Sequence, residues 1–109
     1  NTLIAVQGNH PSRFSSALIT ITPNWINGEP EEITLGGTFQ CKAKVRYRQA
    51  EQSCRASRFK DSALMINFDV QQADVTPGQY IVFYRGDICL GGAVIDEVGN
   101  DPDTLLKAG

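Results

Sequence analysis

From residue 41 to 48 the chain reads Cys-Lys-Ala-Lys-Val-Arg-Tyr-Arg, apolar and cationic side chains in strict alternation. A strand sends successive side chains to opposite faces, so Cys41, Ala43, Val45 and Tyr47 share one face and Lys42, Lys44, Arg46 and Arg48 the other. Such a segment has to be a strand with one face buried. Same-face residues stand two rises apart, roughly 7 Å, so the four cations form a ladder about 20 Å long. That length suits a phosphate backbone better than a single small anion.

The net charge of −2 conceals this feature. Residues 42–60 carry seven cations (Lys42, Lys44, Arg46, Arg48, Arg55, Arg58, Lys60) against Glu51 alone, a local charge of +6, and the rest of the chain carries −8. A concentrated basic patch steers an anionic partner whatever the total. Lysine and arginine are also ordinary occupants of a solvated outer sheet face, and composition alone leaves the two readings level.

The remaining pattern is all-β: short runs rich in β-branched and aromatic residues, separated by Gly, Pro and Asn turns. Strands are predicted at 3–7, 17–22, 38–47, 54–59, 63–68, 80–84 and 88–95. Trp25 is read as a core residue or barrel-end plug rather than an RNA-stacking one. Val75-Thr76-Pro77-Gly78-Gln79 suits a type II turn, and Arg85-Gly86-Asp87 a tight hairpin. Gly91-Gly92 within the last strand predicts a bulge or a close backbone approach. No amphipathic helix longer than two turns is expected. Six or seven short antiparallel strands in 109 residues favour a small closed barrel, which removes exposed edges, with a β-sandwich as the alternative. The barrel is expected over residues 1–98, followed by an acidic, frayed tail over 99–109.

After a polar loop around 48–53, strand 54–59 is expected to return antiparallel. Pairing Tyr47 with Cys54 and Val45 with Ala56 keeps both apolar sets on one face. That register sets Arg55 beside Arg46 and Ser57 beside Lys44. It also holds Cys41 about 20 Å from Cys54, too far for a disulfide.

The three cysteines, Cys41, Cys54 and Cys89, are an odd, low count that argues for a reducing compartment, cytosolic or organellar. Each lies in a strand-like run and is read as buried packing. Cys54 beside Arg55 is a better candidate for a reactive thiol than Cys89 near Asp87, because a carboxylate raises a thiol pKa. His10 is the only histidine, has no evident base or nucleophile partner, and is read as structural or surface. There is no phosphate-binding glycine loop and no C-x-x-C unit; no metal site, no cofactor site and no catalytic residue is assigned to this chain. No run of eighteen apolar residues exists, so no membrane partner is expected. The chain starts at Asn1 without an initiator methionine and is read as a piece of a longer protein, or a processed one.

Recognition chemistry remains. Arg46 and Arg48 grip phosphates through paired hydrogen bonds, and Lys42 and Lys44 act as point charges. Gln49 and Gln52 offer amide donors and acceptors. Tyr47, on the inner face, stacks on a base only if the strand twists outward at the loop. Structured RNA, read through shape, phosphates and 2′-hydroxyls, fits this set.

The same residues carry a resemblance. Cys-Lys-Ala-Lys-Val-Arg-Tyr-Arg-Gln at 41–49, Cys54, Val75-Thr76-Pro77-Gly78-Gln79, Val82-Phe83-Tyr84, Gly86-Asp87 and Cys89-Leu90-Gly91-Gly92 occur in that order. Val6-Gln7-Gly8, His10-Pro11, Asn24-Trp25-Ile26 and Gly28-Glu29-Pro30 precede them. Together they resemble the C-terminal domain of the tRNA-specific 2-thiouridylases, over about residues 3 to 96. The resemblance implies a β-barrel like the second domain of translation elongation factors, which helps hold tRNA. It further implies a parent enzyme that puts sulfur on the wobble uridine, using ATP and Mg and a persulfide from a donor protein, in an N-terminal domain that is not among these residues. By position, Arg46, Tyr47, Arg48 and Gln49 match the family's Arg-Tyr-Arg-Gln motif, and the three cysteines do not match the catalytic pair. The expected tRNA-binding set is therefore Lys42, Lys44, Arg46, Tyr47, Arg48, Gln49 and Arg55. The expected partners are tRNA, the parent's own catalytic domain and, for the parent, the persulfide donor. A second reading makes the barrel a brace for the catalytic domain through the apolar, Gly-rich segment 80–93. A third, a free-standing cysteine enzyme, is the least favoured.

Overall fold

The computed structural model describes residues 14–45 and 50–99, except for the side chain of Phe14. The expected strand at 3–7, His10, the ladder's far end (Arg46, Tyr47, Arg48, Gln49) and residues 100–109 lie outside them.

The described chain is seven strands and one helical turn: β1 (Phe14–Thr20), β2 (Asn24–Trp25), α1 (Glu31–Thr34), β3 (Thr38–Lys44), β4 (Gln52–Arg58), β5 (Leu64–Ala73), β6 (Tyr80–Arg85) and β7 (Ile88–Gly99). Hydrogen bonding runs β1-β5-β4-β3-β6-β7, and β7 pairs back onto β1, so six antiparallel strands close into a barrel. The two-residue β2 lies against β7 at Gly91 and Gly92. Closure leaves no long edge among the described barrel strands to template aggregation.

Alternation fills the interior. Phe39 and Ala43 of β3, Cys54 and Ala56 of β4, Leu64, Ile66 and Phe68 of β5, and Ile81 and Phe83 of β6 point inward and are buried. Leu18, Ala93 and Ile95 complete the ring, and Ile33 of α1 plugs into it. Trp25 is half-buried and stacks on Phe83, ring centroids 5.4 Å apart, as its reading as a barrel plug expects. A smaller cluster of Ala17, Ile19 and Met65, with Phe59 and Ala63, buries the other face of β1 and β5.

Turn chemistry follows the sequence at several points. Gly78 sits at φ +96° between Pro77 and Gln79, whose N–H donates to Thr76 at 3.3 Å, as a type II turn requires. The β6–β7 register slips between Phe83 and Tyr84, which face Gly91 and Cys89, leaving Leu90 as a bulge. A Cβ on Gly91 would strike the carbonyl oxygen of Asn24, and one on Gly92 would lie 2.5 Å from that of Ile81. Both backbones approach too closely for a side chain.

The loop-rich connector contains one unexpected helical turn. Ile33 and Thr34 donate to the Pro30 carbonyl, and Gly36, at φ +87°, ends it. Glu29 accepts from Thr34 Oγ1 at 2.6 Å and pairs with Arg58 of β4. These contacts, Thr34's first, hold the Glu29 carboxyl below its ordinary pKa. The pair anchors the connector to the barrel.

The expected β3–β4 register is wrong. Cys41, not Tyr47, stands opposite Cys54, and Phe39, not Val45, opposite Ala56. The strands are displaced by six residues relative to the expected pairing, and eight residues rather than six separate the innermost paired positions, Ala43 and Gln52. The expected pairing would have run Phe39 past the end of β4, opposite Ser62. Burying a phenylalanine contributes about 1.5–3 kcal/mol, whereas doubling a loop costs only about 0.6 kcal/mol. Burial of Phe39 wins.

Candidate nucleic-acid interface

Strands β4, β3 and β6 lie side by side, and their outward residues form one face. On β3, Gln40 and Lys42 are exposed and Lys44 half-exposed, alternating with the inward Phe39, Cys41 and Ala43. Lys42 stands opposite Ser53 of β4 and Tyr84 of β6; Lys44 stands opposite Val82. The Lys44 ammonium lies 5.5 Å from the centre of the Tyr84 ring. Two cations of β3 thus lie beside a half-exposed aromatic of β6, the pairing that sequence-tolerant RNA contacts use for phosphate and base stacking. Among the described residues, neither lysine is in an ion pair.

Arg55 shares this face, opposite Gln40 and diagonal to Lys42. It is not free. Its Nη1 donates to Asp69 Oδ1 of β5 at 3.0 Å, with the two side chains 46% and 49% exposed. An exposed pair of this kind is worth about 0–1 kcal/mol, so a phosphate could displace Asp69. The expected contact with Arg46 does not apply in the observed register.

Of the seven expected contact residues, the structure therefore brings Lys42, Lys44 and Arg55 together; Arg46, Tyr47, Arg48 and Gln49 lie outside the described residues. Tyr84 was missed, because 80–84 reads as a uniformly apolar run. Alternation holds the signal: Ile81 and Phe83 face inward, Tyr80, Val82 and Tyr84 outward.

The cysteines depart from expectation. Cys89 is exposed rather than packed, Cys41 is half-exposed, and only Cys54 is buried. Cys41 and Cys54 lie with their sulfurs 3.7 Å apart. The thiol nearer to ionisation is Cys41, contrary to the preference for Cys54. A hydrogen bond from Cys54 lowers the Cys41 pKa, and Arg85 adds to this. The same hydrogen bond, with burial, pushes the Cys54 thiol up. Arg85 itself lies over the Phe39 ring at 4.8 Å.

Among the described residues, no group of three or more His, Cys, Asp or Glu is arranged to hold a metal ion, and no helix is long and apolar enough to cross a membrane. The fold and this face define a class: a small closed antiparallel β-barrel with an outward cationic strand beside an aromatic one. Residues 15–95 match the family described as the aminomethyltransferase beta-barrel domain. The chain belongs to that family, as the C-terminal barrel domain found in the tRNA-specific 2-thiouridylases. It is 45% identical over 106 residues to the tRNA-specific 2-thiouridylase MnmA of Marinobacter nauticus, covering 96% of this chain. It is 46% identical over 96 residues to that of Francisella tularensis subsp. novicida, covering 87% of this chain. In both cases it spans 26% of the relative's length, about a quarter.

Proposed function

We propose that this barrel is the tRNA-holding domain of a tRNA 2-thiouridylase and does no chemistry itself. Sulfur transfer to the wobble uridine, with ATP, Mg and a persulfide donor, is assigned to a separate catalytic domain of the parent protein. The observation that carries this reading is the outer face of β3: Lys42, opposite Tyr84, and Lys44, diagonal to it, project from that face without a carboxylate partner among the described residues. Relatives with this domain are named for action on tRNA, which supplies the polyanion. The test is titration of tRNA against the chain and its Lys42→Glu/Lys44→Glu variant. Weak, salt-sensitive binding that the variant loses supports the reading; equal binding by both refutes it.

A second reading, a brace for the catalytic domain, has one observation in its favour. Ile26 and Ile88 are 62% and 60% exposed, and the Ile26 N–H bonds to the Leu90 carbonyl, which brings them to the same part of the barrel. If the chain bound a separately expressed catalytic domain while tRNA left the Lys42 and Lys44 resonances unmoved, bracing would be the function.

A further inference from the structure

The register that overturns the expected hairpin also creates a two-thiol site. Cys41 and Cys54 are directly opposite on antiparallel neighbours, with sulfurs 3.7 Å apart. Opposed residues of an antiparallel pair have Cα atoms about 4.5–5.5 Å apart, inside the range a disulfide spans. The bond therefore needs side-chain rotation and no backbone rearrangement. The two thiols differ in access: Cys41 is half-exposed, Cys54 is 2% exposed.

We propose that Cys41 and Cys54 form a reactive dithiol that exchanges with a low-molecular-weight, anionic disulfide, Cys41 attacking and Cys54 resolving. The Cys41 thiolate attacks one sulfur of the small disulfide; that S–S bond breaks and one small thiolate leaves. The Cys54 thiol then gives up its proton to solvent and attacks the Cys41 sulfur of the mixed disulfide, releasing the second small thiol. The two protein thiols lose two electrons and two protons, and the small disulfide is reduced to two thiols. The surroundings support this division of roles. The hydrogen bond from Cys54 and the charge of Arg85 favour the Cys41 thiolate, the nucleophile of thiol–disulfide exchange. Arg85, exposed at the end of β6, offers a cation to the carboxylates of the incoming disulfide. The reaction does not depend on tRNA binding.

The test incubates the chain carrying Cys89→Ser, which removes the exposed third thiol, with oxidised glutathione, followed by acid quench and peptide mapping. The expected product is a Cys41–Cys54 disulfide that has lost two hydrogens and retains no glutathione. Adding Cys54→Ala should leave glutathione on Cys41, and adding Cys41→Ala should leave Cys54 unmodified. Cys54 is a core residue, so the arm with both thiols present decides the matter alone. Retention of glutathione on Cys41 in that arm, or no reaction at either thiol under conditions that modify Cys89 in the parent chain, would overturn the proposal.

Discussion

Replacing Lys42 and Lys44 together by glutamine should flatten the salt dependence of tRNA binding by a calculable amount. Each lysine that meets a phosphate releases about 0.7–0.9 counterion, so losing both lowers the slope of log K against log salt by about 1.6. Over a fourfold rise in salt, the double variant should then lose roughly tenfold less affinity than the parent. Arg55 provides an internal comparison. Its bond to Asp69 must be given up before a phosphate can replace it, so Arg55→Gln should change slope and affinity less than either lysine. Asp69→Asn should do the reverse and tighten binding, since it removes the competing carboxylate. The assay is fluorescence anisotropy of labelled tRNA at several potassium chloride concentrations, with circular dichroism to verify folding. A parental slope in the double variant would show that these lysines meet no phosphate, however much affinity had changed.

Three further outcomes test the barrel and its thiols. Gly91→Ala forces a Cβ into the Asn24 carbonyl at φ +144°, so it should lower the melting temperature sharply, whereas Gly86→Ala, with open space and φ +60°, should cost only about 1–2 kcal/mol. Phe83→Ala empties a fully buried site under Trp25 and should cost about 3–5 kcal/mol in urea denaturation, with a change in Trp25 fluorescence. Alkylation of Cys41 should persist to lower pH than that of a model peptide thiol, because its pKa is lowered. Cys54→Ala should move the profile back up. A profile that Cys54→Ala leaves in place would refute the Cys54 hydrogen bond as the cause of the lowered pKa.

Which face each side chain takes was legible in the chain, but which neighbour it meets was not, and the β3–β4 pair shows why. Alternation has a period of two, so Lys42, Lys44 and Arg55 point outward, and Phe39, Ala43 and Cys54 inward, under any register displaced by an even number of residues. The expected and observed pairings differ by six residues, which preserves every face and replaces every partner. What separates them is where Phe39 ends up, and that depends on the closed barrel rather than on either strand alone. Loops and bulges blurred boundaries for the same reason: β5 runs on to Ala73 past the irregularity facing Ser15 and Ala17, and β7 past its slip beside Thr20. The outward placement of Lys42 and Lys44 survived the error because it needs only orientation. The Cys41–Cys54 site needs a specific opposite residue, so it was invisible until the register was known. Oxidation would close a ring around residues 42–53, the segment that holds both lysines and the Arg-Tyr-Arg-Gln motif. The ends of that segment are already held by the β3–β4 pairing, Lys42 opposite Ser53 and Ala43 opposite Gln52, so a bond at Cys41 and Cys54 would lock this strand pair without redirecting either lysine.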